Sequence, residues 1–281
     1  MHRFELGSRC RPSWRVLSVL VLVISLLSAC SATSDAPSSD SPRPATDGGG
    51  RGPGQPAATP QKSPRDALQA FLDAESRNDH QASFLLLSDE AVKTYPDTIA
   101  WTRRRKEIPA ITGFRVEGGS GDSAVALVEH RPDLDPFVGL TPARERQTWR
   151  ATRQGAGWLL DAEPTLEPLF PPADQAPPAA LEWARAVQAC QADQARSRQA
   201  IPVPLGVSDA PSRLCGKAGD VSVGPPEKVT GGPETEELFA QYGPDSNSWA
   251  TAVMVRSAVQ PFHVVLAPIG DAWKVVSVFE P

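Results

Sequence analysis

Side chains able to bind a metal, attack a carbonyl or move a proton are few and widely spaced in this 281-residue chain. His80, His130 and His263 lie far apart and no Cys-x-x-Cys pair occurs, so no zinc-type ligand spacing is present. No Ser-x-x-Lys occurs, which excludes the active-site frame of penicillin-binding proteins and β-lactamases. Gly118-Gly119-Ser120-Gly121-Asp122 has Asp where a nucleophile elbow needs Gly, and it fits a hairpin turn instead. Gly216-Lys217-Ala218 lacks the frame of a phosphate loop, and the Gly-rich stretch 48–54 has neither a strand before it nor a helix after it. No cofactor is therefore expected. His130 remains as a candidate proton carrier. On an extended segment it shares a face with Ala124, Ala126 and Val128, at the end of a lane of small side chains. It can equally be a solvated or backbone-paired histidine beside Arg131-Pro132, and no Asp lies in that lane.

The cysteines carry more chemistry. Arg3, Arg9, Arg11 and Arg15 precede an apolar run from Val16 to Leu27, the n-region and h-region of an export signal. That run spans roughly 18 Å as a helix, short of the roughly 30 Å hydrocarbon core. It ends at Leu27-Ser28-Ala29-Cys30, which resembles the bacterial lipobox. The resemblance implies a diacylglyceryl group on Cys30, cleavage just before it, and a protein lipid-anchored on the outer face of the cell membrane. An ordinary secretory signal with an incidental Cys is the alternative. No Arg-Arg pair precedes the run, which favours the general secretion route. Cleavage would remove four arginines and one glutamate, taking the net charge from -5 to -8. The acyl chains would then hold the protein without electrostatic help from anionic lipid. Cys190 and Cys215 are left as an even pair outside the membrane, which suggests a disulfide; two separate buried thiols are the alternative.

With 28 Lys plus Arg against 33 Asp plus Glu, the chain offers no basic surface for a nucleic-acid partner. Residues 31–62 hold 6 Pro, 5 Gly and 5 Ser and no Leu, Ile, Val, Met or aromatic residue. They cannot bury apolar surface to offset their ordering entropy and are expected to form a flexible tether. A second proline cluster from Pro164 to Pro178 divides the remainder into a first domain, 63–164, and a second, 179–281, joined by 165–178.

In the first domain, Ser63-Pro64-Arg65-Asp66 carries an N-cap, a proline at the first helical position and an acid three residues on. Leu68, Phe71, Leu72 and Glu75 follow at helical period. Further helices are expected after Asn78-Asp79, after Ser88-Asp89 and from Asp97, the last carrying Trp101. Strands are expected over 111–117, 123–131, 144–153 and 158–162. Helices followed by an antiparallel sheet make an α+β fold. The order, with Ser-Pro-x-x-Ala-Leu-x-x-Phe-Leu at its start and Gly-x-Gly-Trp-Leu-Leu-Asp at its end, resembles the nuclear transport factor 2-like superfamily, in particular exported actinobacterial lipoproteins that carry it. The resemblance implies a curved sheet wrapped around helices as a cone with a pocket at its open end, where enzymes of the superfamily place an Asp or His base. His130 could point into such a pocket, edged by Tyr95, Trp101 and Trp149; plain core packing of the aromatics is the alternative. Arg103-Arg104-Arg105-Lys106 is expected to be a solvated helix end, with an anionic partner as the alternative.

The second domain opens with Ala180, Trp183, Ala184, Val187 and Cys190 at helical spacing, predicting one helix over about 179–198 with Cys190 on its buried face. A short helix over 234–242 and a meander of three strands, 249–256, 262–267 and 272–279, follow. Each domain begins with a Pro-preceded helix and ends in a Trp strand followed by Glu-Pro, so two degenerate copies of one unit are expected, with an unrelated small α+β domain as the alternative. Function is expected to be non-enzymatic: a lipid-anchored envelope protein binding a small apolar ligand, a wall component or a protein partner. An exported isomerase-like or cyclase-like enzyme and an accessory subunit of an envelope enzyme or transporter are the alternatives.

Overall fold

Ser63 starts the first helix by accepting from the backbone N–H of Asp66, ahead of Pro64, which has no N–H to satisfy. Helix α1 (Pro64–Ser76) buries Ala67, Leu68, Phe71, Leu72, Ala74 and Glu75 along one face. It ends where Asn78 turns left-handed at φ 56 and the N–H groups of Asn78 and Asp79 bond back to Glu75 and Ala74. Asp79, Ser88 and Asp97 then cap α2 (His80–Phe84), α3 (Asp89–Thr94) and α4 (Thr98–Lys106) with their side chains. The computed structural model describes residues 55–136, 138–200, 213–229 and 232–279. The expected export signal, Cys30 and residues 31–54 lie outside them. The last residues of the expected tether, 55–62, are held: Thr59 donates to the Leu85 carbonyl, and Gln61 exchanges two bonds with Trp158.

The helices lie against a curled antiparallel sheet of β1 (Ile111–Ser120), β2 (Ser123–His130), β5 (Arg144–Gln154) and β6 (Gly157–Leu160), in that order, with β7 (Thr165–Pro168) pairing with β5 as well. Two register shifts in β1 bend it, as bulges do. Between β2 and β5 the chain makes a small hairpin, β3 (Asp133–Asp135) with β4 (Gly139–Thr141). Neither it nor β7 is legible as a strand, because three or four residues show no period.

In the second half, α5 (Ala176–Gln188) and α6 (Ala192–Ser197) replace the single helix expected over 179–198. The break falls at Cys190, which is left-handed at φ 58 and exposed, not on a buried helix face. Its N–H bonds Val187 and that of Gln191 bonds Ala186, the same helix stop as at Asn78. The disulfide to Cys215 is present, with Cα atoms 4.9 Å apart. Four strands, not three, form the second sheet: β8 (Ser222–Lys228), β9 (Thr251–Arg256), β10 (Phe262–Ile269) and β11 (Ala272–Phe279), in the order β11-β10-β9-β8. Pro225 and Pro226 hide β8 from a sequence reading, and its edge position is where proline is tolerated.

The second sheet is covered on both sides. Trp183, Ala184, Val253, Val255, Phe262, Val264 and Val275 pack under α5, while Leu238, Tyr242, Trp249, Val265, Ala267 and Val276 pack under α7 (Pro233–Tyr242) and α8 (Ser246–Trp249). Leu134 of the β3–β4 hairpin and partly buried Leu140 join that last cluster, so the first half helps to close the second.

The two halves repeat a hydrogen-bond pattern in the same order along the chain. Asn78 and Cys190 stop two 13-residue helices. Leu87 then bridges Leu160 in parallel, and Gln199 bridges Val275. Leu160 exchanges bonds with Leu86 and Ser88, as Val275 does with Arg198 and Ala200. Both final hairpins turn on a glycine at positive φ, Gly155 and Gly270, three residues before a Trp.

Candidate functional site

Alternation along β5 puts Glu145, Gln147, Trp149 and Ala151 on its inner face, all buried. On β2 the same alternation buries Ala124, Ala126, Val128 and His130. These two lanes meet in a chain of polar atoms inside the first core. Trp149 Nε1 donates to Gln147 Oε1 at 2.9 Å, and Gln147 Nε2 donates to Glu145 Oε1 at 2.6 Å. His130 Nε2 stands 3.1 Å from the same Glu145 oxygen, and His130 Nδ1 stands 3.1 Å from the Ala110 carbonyl.

That geometry limits what His130 can do. A carbonyl accepts only, so Nδ1 carries a proton, and one further proton must lie between Nε2 and Glu145. Burial, the largest single influence on Glu145, favours its neutral form. The hydrogen bonds from His130 and Gln147 and the charges of His130 and Arg105 act against it, and together they hold the carboxyl below its usual range. Both ring nitrogens are thus engaged within the protein, Nδ1 by the Ala110 carbonyl and Nε2 by Glu145.

A second buried pair lies beside the first. Arg105 Nε bonds Glu75 Oε2 at 2.6 Å, with the side chains only 8% and 3% exposed, and His80 Nδ1 lies 3.4 Å from the other Glu75 oxygen. The Arg105 guanidinium sits over the rings of Phe71 and Trp101, 5.9 and 5.6 Å from their centroids. Glu75, His80 and Arg105, with Asn78, Lys106 and the segment 108–111, line a cavity of about 280 Å³. Ala110 belongs to that wall, and its carbonyl holds His130 from behind.

The aromatic residues expected to edge a pocket are packed instead. Trp101 and Trp149 are 0% and 1% exposed, and each packs on Phe71, at 6.1 and 4.6 Å between centroids. The Trp101 Nε1 proton goes to Ser83 Oγ at 2.8 Å. Tyr95 packs edge-on against Trp101 and sends its hydroxyl outward to Glu163 Oε1 at 2.6 Å. The expected apolar pocket between them is occupied by their own rings and that of Phe71. The basic cluster is likewise only half solvated: Arg104 pairs with Glu163 and Arg105 with Glu75, while Arg103 and Lys106 are exposed.

Sequence reasoning missed Glu145 and Gln147, although both stand in step with Trp149 and Ala151 on one strand face. It missed Arg105 because nothing local says that a cation in a basic run will meet a carboxylate from α1. Among the described residues the second half shows no counterpart: Phe262, Val264 and Leu266 are buried on β10, and Trp183 packs edge-on against Phe262 at 6.4 Å. Among the described residues no three His, Cys, Asp or Glu side chains gather as a metal site, and no helix is long and apolar enough to cross a membrane.

No protein-family model matches the chain, and no curated protein matches it.

Proposed function

We propose that this chain is a non-enzymatic lipoprotein of the cell envelope, anchored through Cys30 on the outer face of the cell membrane, whose folded part is a binding module. The observation that carries the non-enzymatic reading is the saturation of His130, both of whose ring nitrogens are engaged by Ala110 and Glu145. The nuclear transport factor 2-like reading of the first half draws support from the curled sheet around α1. The repeated helix stops and bridges support two degenerate copies of one unit, the first carrying the polar cluster and the second an apolar core.

The binding site is the cavity beside Glu75 and Arg105. Its lining is mainly polar, so the ligand is a small polar molecule and not the apolar one the sequence suggests. Lys106 faces it beside the paired Arg105 and Glu75 and leaves a net positive charge there, which favours a ligand with an anionic group, such as a wall-derived peptide carboxylate. Ligand-observed NMR with N-acetyl-D-alanyl-D-alanine as probe tests this. Saturation transfer that disappears in His80→Ala, with the circular dichroism spectrum unchanged, supports the reading; transfer equal in both proteins rejects the site.

A second reading, an exported isomerase-like enzyme, is favoured by one observation: a carboxylate does lie within hydrogen-bond reach of His130. It requires turnover of a cyclic ketone that His130→Ala abolishes.

A further inference from the structure

Ile99 is 70% exposed, a rare position for a large apolar side chain in this fold. It stands on α4 in one stripe with Thr102, Arg103 and Lys106, at the i, i+3, i+4 and i+7 positions. Together with Gln81 these residues line an open groove of about 470 Å³. The two other cations of the basic run turn away and are neutralised, Arg104 by Glu163 and Arg105 by Glu75. What remains outward is an apolar side chain beside two positive charges, the combination that suits the boundary between acyl chains and anionic headgroups.

The path of the chain gives that face an occupant. Gln55 Nε2 donates to the Pro96 carbonyl at 2.6 Å, so the segment leading back to Cys30 joins the folded body two residues before α4 begins. Residues 31–54 can separate the anchor from that point by at most about 85 Å even when fully extended. A bilayer that holds Cys30 therefore lies within reach of α4, beside whose start Gln55 is held. We propose that the Ile99–Arg103–Lys106 face of α4 rests on the anionic bilayer to which the protein is anchored. The net charge of -8 on residues 30–281 does not oppose this, because beyond a Debye length of about 8 Å the remote acidic groups are screened. The exposed Val138, on the β3–β4 hairpin whose Leu134 and Leu140 pack with residues of the second half, serves as the comparison site.

The proposal rests on anchoring at position 30, and the test supplies that anchor chemically. Chain 30–281 with its disulfide intact has Cys30 as its one free thiol and is coupled to a maleimide lipid in vesicles of phosphatidylcholine with phosphatidylglycerol. Brominated acyl chains then quench a tryptophan placed by Ile99→Trp or by Val138→Trp. Quenching of the added signal several-fold greater at 99 than at 138, reduced by Arg103→Glu with Lys106→Glu and by salt, is expected. Equal quenching at both sites, or no response to the charge reversal, overturns the proposal. So does a dimer in vesicle-free solution that Ile99→Asp dissociates, because it assigns the face to a second copy. Failure of host lipidation, read by intact mass of the native protein, would leave the vesicle result standing and reject the anchor alone.

Discussion

Two buried carboxylates, Glu145 and Glu75, make different demands at the level of single residues. Glu145 has its carboxyl below the ordinary range in the folded state, so its contribution is complete above that range and is lost as the pH falls through it. Glu145→Gln should therefore lower urea stability by about 1.5–3 kcal/mol at neutral pH, and the gap from wild type should close as the pH falls below the ordinary carboxylate range and through the lowered value in the folded state. Parallel urea titrations of the two proteins check both the sign and the window. For Glu75 and Arg105 the pair term is tested by removing one side or both. Arg105→Ala leaves a carboxylate buried without its main partner and should cost about 3–5 kcal/mol, whereas Glu75→Leu with Arg105→Met should cost far less. A Glu145 variant whose stability loss is the same at every pH would show that the carboxylate state is irrelevant to the network.

Among the elements, the helix stops govern where the chain turns back. Asn78 and Cys190 each accept a left-handed backbone so that two carbonyls of the preceding helix are satisfied. At Cys190 the stop is also covalent, and the loop to Cys215 is drawn in further by Gln188 Nε2, which donates to the Lys217 and Gly219 carbonyls. Cys190→Ser with Cys215→Ser should cost about 2–4 kcal/mol in chemical denaturation, and reducing agent should bring the wild type to the same midpoint. The disulfide pairing was legible from the two cysteines left once Cys10 and Cys30 are given to the expected signal and anchor. Its place on a helix stop was not, because periodicity carries the apolar stripe through Cys190 and propensity says little about a single αL residue. Likewise α1 and its cap were legible from Ser63-Pro64, whereas β8 was concealed by two prolines that only an edge position permits.

At the scale of the molecule, the two sheets are linked through the β3–β4 hairpin. Leu134 is 2% exposed in a cluster otherwise built by the second half, and Gly139 approaches the Tyr242 carbonyl so closely that a Cβ there would lie 3.1 Å from it. Leu134→Ala should cost about 2–5 kcal/mol and should lower hydrogen-exchange protection on β10 and β11, which lie in the other half of the chain. Protection that changes only near residues 111–160 would mean that the hairpin does not couple the halves.

What the amino acids determined on their own was local: caps, alternation, the cysteine pair, and the α+β order of elements, each written into neighbours a few positions apart. The presence of His130 on the inner face belongs to that class, since strand parity alone puts it there. Its chemistry does not. Whether an inward histidine is a base or a spent donor depends on Ala110 and Glu145, which reach it across a loop and a strand pairing, and whether Trp101 and Trp149 edge a pocket or fill a core depends on how far Phe71 intrudes between them. Those distances are set by packing among residues remote in sequence, where no period or motif records them, and only the tertiary structure decides them.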